Sequence, residues 1–221
     1  MSEERTRLKE ERLPSHNILH LNSLYDFVRD YRKTGDDGLR LKGSAYGKEY
    51  SRRCKAIAGN VDEVAGFYVW GRYDRKRYWR SIYLGKAGYR EDKKNLRKRI
   101  LEELKDERAF VWRYIYDETE VLAICDRIHD GRYTWKRPLL KAGTTEIIWV
   151  PAPKLSDSEI LMVEADLIEA LNPSANLSRP IPVRLVQSHA TTVFSQLREI
   201  IHKNRPDKAS ELHRSVDARI A

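Results

Sequence analysis

Glu164 is the side chain whose place in this sequence most needs a chemical reason. Four residues after Ile160, it falls on the stripe marked by Ile160, Val163, Leu167 and Leu171, so the pattern puts a carboxylate on the core-facing side of a helix. Such a group is costly to bury unless a cationic side chain or a metal ion neutralises it. Two readings follow from the residues alone: a bridge to an arginine at the edge of the stripe, or a ligand for a hard divalent cation. A second pattern concerns two phenols. Gly66-Phe67-Tyr68-Val69-Trp70-Gly71 and Ser81-Ile82-Tyr83-Leu84-Gly85 are short, aromatic and β-branched, and predict two hairpin strands joined by a long polar loop. Alternation places Phe67, Val69, Ile82 and Leu84 on a core face, and Tyr68 and Tyr83 together on the opposite surface. There they either stabilise the sheet as a cross-strand pair or stand beside a reacting group.

The elements that must position these groups are unevenly marked. Residues 1–15 alternate in charge and read as a mobile arm or a frayed helix, and 17–31 carry a helical pattern closed by Gly35. Residues 35–65 show no clear element. A helix over 95–105 has Leu96, Ile100, Leu101 and Leu104 on its stripe and Arg97, Lys98 and Arg99 on its flanks; Arg99 and Glu103, four apart, suit a surface ion pair worth a few tenths of a kcal/mol. Residues 107–143 read as an insertion with a strand at 109–116 and a helix at 119–129, and 145–150 as a third strand. Ser156-Asp157-Ser158-Glu159 is a capping box that starts the Glu164 helix; Asn172-Pro173 stops it, and Asn176 follows in a turn.

The chain has 221 residues, with 42 Lys+Arg against 33 Asp+Glu and a net charge of +9. Between Arg72 and Arg108 lie 14 Lys/Arg and 7 Asp/Glu, so this stretch carries +7 of that total. Clustered cations gain affinity for polyanions by releasing counterions, and Tyr73, Tyr78, Trp79, Tyr83 and Tyr89 interleave with them as stacking surfaces, which points to a nucleic acid. A solvated basic face is the plainer alternative. No apolar run approaches the roughly 20 residues of a membrane span. Cys54 and Cys125 lack the spacing of a zinc ribbon, and with no export signal the cytoplasm is the expected compartment.

Gly66-Phe67-Tyr68, then Tyr83-Leu84-Gly85, an arginine-bearing helix, a strand, and a helix with an inward Glu followed by an Asn together resemble the GIY-YIG nuclease superfamily. Tyr83-Leu84-Gly85-Lys86-Ala87 with Asn95-Leu96-Arg97-Lys98-Arg99, and Val163-Glu164-Ala165-Asp166-Leu167-Ile168 with Asn176, are similar to the nuclease domain of the bacterial excision-repair subunit UvrC. The likeness covers 66–106 and 144–178, about a third of the chain.

The resemblance implies an α+β fold, a small three-stranded antiparallel sheet flanked by helices, with N-terminal helical, internal and C-terminal elaborations. The corresponding division is 1–62, a catalytic domain over 63–178 with its insertion at 107–143, and 179–221. It also implies hydrolysis of one DNA strand per site with one Mg2+, for which Mn2+ can substitute. Tyr68 falls on the tyrosine implied to orient or activate water, and Tyr83 on the one that shapes the same pocket. Arg99 falls on the arginine that steadies the scissile phosphate, Glu164 on the sole carboxylate metal ligand, and Asn176 on the asparagine supporting the site. Lys86 lies where some members place a catalytic lysine. On this reading Lys86, Arg99 and the metal would favour the Tyr68 phenolate. Two departures stand out: Gly88 to Lys93 lengthens the link to the Arg99 helix, and Glu103 occupies the position where many homing members carry His. The function expected is a type II restriction endonuclease acting on double-stranded DNA as a dimer or tetramer. A structure-specific repair or mobile-element nuclease and a non-catalytic DNA-binding module are the alternatives.

Overall fold

The computed structural model describes residues 17–32, 45–88, 94–105, 144–176 and 187–206. Its architecture follows from β2 (Gly66–Tyr73), which is apolar on both faces: Phe67 and Val69 point one way, Tyr68 and Trp70 the other, and all four are fully buried. A strand of this kind needs a helical layer on each side. β2 pairs antiparallel with β3 (Trp79–Ala87) and with β4 (Glu146–Pro151), and β4 pairs in turn with β1 (Ile18–His20), giving the order β1-β4-β2-β3. In its register Tyr68 lies opposite Gly85, Trp70 opposite Tyr83, and Phe67 opposite Lys86, with a bulge at Trp70/Gly71.

On one face lie α1 (Asn22–Arg32), α2 (Ala45–Ala58) and α3 (Leu96–Lys105), whose Leu24, Tyr50, Cys54, Leu96, Ile100 and Leu104 pack with Tyr68, Trp70, Ile147 and Trp149. On the other lie α4 (Asp157–Leu171) and α5 (Gln187–Lys203), whose Ile160, Val163, Leu167, Val193, Leu197 and Ile200 pack with Phe67, Val69, Leu84, Ile148 and Val150. Residues from the N-terminal, central and C-terminal segments therefore share these two cores.

The α+β class is as the sequence predicts, but the sheet has four strands and not three. Ile18–His20 leaves the helical pattern because β4 has an open edge: Ile18 and Leu19 pair with Ile148 and Ile147, while the Asn17 side chain donates to the Trp149 carbonyl at 3.2 Å. The tyrosine face, expected as a surface, is covered by the first core. The hairpin loop is short, because Arg72, Tyr73, Trp79 and Arg80 extend the ladder. Asp74 closes it by accepting hydrogen bonds from the backbone of Lys76 and Tyr78, each at 2.9 Å. Both α2 and α5 lie where the sequence offered no element. The capping box at Ser156 and Glu159 forms as predicted, and Asn172 ends α4 in the left-handed region at φ 44°. The arm at 1–15, the strand at 109–116 and the helix at 119–129 lie outside the described residues. Among the described residues no helix is long and apolar enough to cross a membrane.

Gly66 tests this packing. A Cβ there would stand 2.3 Å from the Val150 carbonyl oxygen and 2.8 Å from Leu96 Cδ1, so backbone would have to move. Gly66→Ala should cost about 1–3 kcal/mol, read as a fall in melting temperature of about 2–12 °C. An unchanged melting temperature would show that β2 and β4 do not meet this closely.

Candidate active site

α3 is held at both ends, and this fixes Arg99 and Glu103. Asn95 accepts a hydrogen bond from Lys98 N at 2.9 Å, the Leu96 and Arg97 amides donate to the Val64 and Asp62 carbonyls, and Tyr50 Oη donates to Leu104 O at 2.9 Å. From this helix Glu103 points inward and is 8% exposed. Tyr68 Oη donates to Glu103 Oε1 at 2.5 Å, and Arg99 Nε lies 3.3 Å from the same oxygen. Tyr83 completes the group, its ring centroid 6.4 Å from that of Tyr68.

The glycine of Tyr83-Leu84-Gly85 has a role here. The Tyr68 ring crosses Gly85 so closely that a Cβ would stand 2.3 Å from both Cζ and Oη. Glycine at this position is what lets the phenol reach Glu103.

The electrostatics overturn one expectation. Burial, and next the adjacent Glu103 carboxylate, push the Tyr68 hydroxyl well above the ordinary range of a phenol, so it keeps its proton. Lys86 is not beside it. Burial works against the Arg99 charge, but Tyr68, Glu103 and Tyr83 outweigh it and raise the guanidinium above its usual range. Tyr68 is completely shielded from solvent, whereas the Arg99 side chain is 39% exposed and Tyr83 is half-buried. Of the two phenols, Tyr83 is the one that is not fully buried.

Lys86 and Glu164 lie on the other face. Lys86, opposite Phe67, faces the α4 side and forms an ion pair with Glu164, with side chains 21% and 16% exposed. That pair, to a lysine and not an arginine, accounts for the inward carboxylate on α4. Asn176 stands between the faces, at the outer edge of β3. Its side chain accepts from Leu84 N at 2.8 Å and donates to Leu84 O at 2.9 Å, while the Ala175 amide bonds Ile82 O at 2.7 Å. The six residues singled out in the sequence thus gather along one edge strand in two groups, Tyr68, Tyr83 and Arg99 on the α3 side and Lys86 and Glu164 on the α4 side, with Asn176 fastening the edge.

Glu103 is buried with Tyr68 and Arg99, whereas the sequence reads it as a surface partner of Arg99 and as the residue in place of a family His. The signal for it was the one that marked Glu164: three residues after Ile160's counterpart Ile100, it borders the apolar stripe. Among the described residues no cluster of three or more His, Cys, Asp or Glu could cage a metal. A lone Glu164 fits a cation that keeps most of its waters and takes one or two carboxylates, as Mg2+ does, and does not fit a zinc or calcium cage. The chain matches no protein-family model, no curated protein and no solved structure.

A phenol whose folded-state pKa is raised binds its proton when the unfolded chain has already lost it. Stability is therefore intact below about pH 10, the ordinary value for tyrosine, and falls as pH rises past it. Denaturant unfolding measured across the alkaline range should show this decline, and Tyr68→Phe should make it shallower. An equally steep decline in that variant would mean that the fold does not hold the Tyr68 proton.

Proposed function

We propose that this chain is a metal-dependent DNA endonuclease of the GIY-YIG type, most closely a type II restriction enzyme, that hydrolyses one strand of double-stranded DNA per site. The observation that carries the reading is that Tyr83, Lys86, Arg99, Glu164 and Asn176, from β3, α3, α4 and the turn after α4, border one edge strand in two groups, with Tyr68 buried beside the first. One site cutting one strand needs a symmetry mate for the second cut, so the working unit is a dimer or tetramer.

The side chains divide the work as follows. Arg99, charged and partly open to solvent, stabilises the charge that builds on the scissile phosphate. Tyr83 meets the attacking water, and Tyr68 acts through others as a positioning residue that holds Glu103 and Arg99 in place. Glu103 accepts the Tyr68 hydrogen bond and holds the Arg99 guanidinium in position. Glu164 would hold Mg2+, which supplies charge on the non-bridging oxygens and a more acidic bound water. Lys86 neutralises Glu164 in the protein alone; once replaced there, its ammonium is a second cation for the phosphate.

Purified protein incubated with plasmid and Mg2+ tests the reading directly. Discrete fragments are expected from a restriction enzyme, nonspecific nicking from a repair-type enzyme, and binding without cleavage would refute catalysis. Glu164→Gln should lower single-turnover cleavage by several orders of magnitude while DNA binding without metal persists. If Glu164 serves only to pair with Lys86, the same variant loses about 1–3 kcal/mol of stability and cuts normally once folded.

The two phenols separate by the same assay. Tyr83→Phe should abolish cleavage, whereas Tyr68→Phe should keep measurable activity, because its hydroxyl is sealed from the substrate. Equal losses would return the water-facing role to Tyr68.

A further inference from the structure

At the opposite end of β3 from Lys86, the hairpin turn and α5 enclose a cleft of about 450 Å3 lined by Tyr73, Arg77, Tyr78, Trp79, Arg198 and Arg205. We propose that this cleft binds a nucleotide whose base has left the duplex stack, on a DNA strand that continues to the catalytic edge. The inference rests on the nuclease reading for the source of that strand.

The cleft is a built feature. Tyr73 Oη donates to Ile201 O at 2.6 Å, tying the hairpin to α5, and the Tyr73 ring meets Trp79 edge-on at a centroid distance of 5.2 Å. Its charge suits an anion: among the described residues no carboxylate pairs with Arg77, Arg198 or Arg205, and Glu199, the acidic residue in the lining, is bonded by Lys203 at 2.5 Å. Its flat surfaces suit a base. Tyr78 is 56% exposed, and the Arg205 guanidinium lies over one face of its ring, 5.4 Å from the centroid, so a planar cation already uses this ring as a stacking surface. Phosphates of an intact duplex need cations but no rings, whereas an unstacked nucleotide uses both.

Arg77 adds a conformational sign. It sits at φ 62°, in the left-handed position that follows a tight hairpin turn and that glycine or asparagine normally fills, with its amide bonding Asp74 O at 2.7 Å. An arginine there gives up backbone stability for a cation aimed from the turn. From Trp79 to Lys86 the strand rises about 23 Å. A nucleotide in the cleft therefore lies several positions from the cut, and the substrate that fits is duplex DNA locally distorted beside the cleavage point, with one base drawn out of the stack.

Fluorescence anisotropy of the full chain with labelled oligothymidylate, and separately with a blunt duplex, both in EDTA, tests this. Tyr78→Ala should weaken oligothymidylate binding about ten-fold and duplex binding much less, and Tyr78→Phe should bind as the wild type. Arg77→Gly should weaken binding and reduce the log–log salt slope by about 0.7 on the single strand, with a melting temperature unchanged or raised because glycine accepts the turn conformation. Wild-type affinity for oligothymidylate in both Tyr78→Ala and Arg77→Gly would overturn the proposal, and equal losses on oligothymidylate and duplex would overturn the unstacked base. Plasmid cleavage by the wild type, run in parallel with Mg2+, keeps the two readings apart: no cleavage with the oligothymidylate effects intact sinks the nuclease and leaves the cleft, while cleavage with unaffected cleft variants sinks the cleft alone.

Discussion

A sheet covered by helices on both faces leaves only its edges for chemistry, and in this protein that constraint places everything else. One edge is β1, three residues long and too short to offer much backbone. The other is β3, nine residues long. An open edge of that length invites pairing with another chain. The turn after α4 answers this by bonding the outward-facing groups of Ser81, Ile82 and Leu84, the last through the Asn176 amide acting as a one-residue strand. Gly85 and Lys86 come directly after the fastened segment. The candidate catalytic groups therefore stand where the edge is last secured, and Asn176 holds α4, and with it Glu164, against the strand that carries Lys86.

The α3 side of the site is a chain of obligations. Burying the Tyr68 hydroxyl requires an acceptor, which Glu103 supplies; burying the Glu103 carboxylate requires a cation, which Arg99 supplies. Arg99 alone of the three reaches solvent with a substantial part of its side chain, so the constraint begun in the core ends in a guanidinium held toward the surface. The α4 side has no such depth. Lys86 and Glu164 are both partly exposed and pair with each other near the surface. One flank is thus built into the core, and the other is an ion pair near the surface.

Some of this was legible in the sequence. The three longer strands, α3, α4 and its capping box could be read because each carries a local signature: alternation, a helical stripe or a cap. β1 could not, since Ile18 and Leu19 also fit the helical stripe that follows, and only the vacant edge of β4 decides between them. α2 was hidden by Gly43 and Gly47, although Tyr50, Cys54 and Ala58 recur every four residues; α5 carries Ala190, Val193, Leu197 and Ile200 at helical spacing and went unread. Tyr68, Tyr83, Lys86, Arg99, Glu164 and Asn176 were singled out one by one from their motifs. Their division between two faces, and the burial of Tyr68, depend on which helix covers which face, and no local pattern carries that.

Charge shows the same difference between pattern and fold. The basic stretch from Arg72 to Arg108 reads as one patch, yet several of its cations are paired with groups of the molecule itself. Arg80 bonds Asp74 at 2.9 Å, Lys94 pairs with Glu102 at 3.1 Å, Arg97 is shared between the Val61 carbonyl and Glu63, and Lys86 and Arg99 are engaged in the site. Meanwhile Arg198 and Arg205, far outside that stretch, are brought by α5 to the hairpin turn beside Arg77. Counterion release depends on cations that a phosphate can reach, not on cations that are merely adjacent in sequence. The fold thus sets Arg198 and Arg205 beside Arg77 at the junction of the β2–β3 turn and α5, a grouping of cations that the linear basic stretch does not contain.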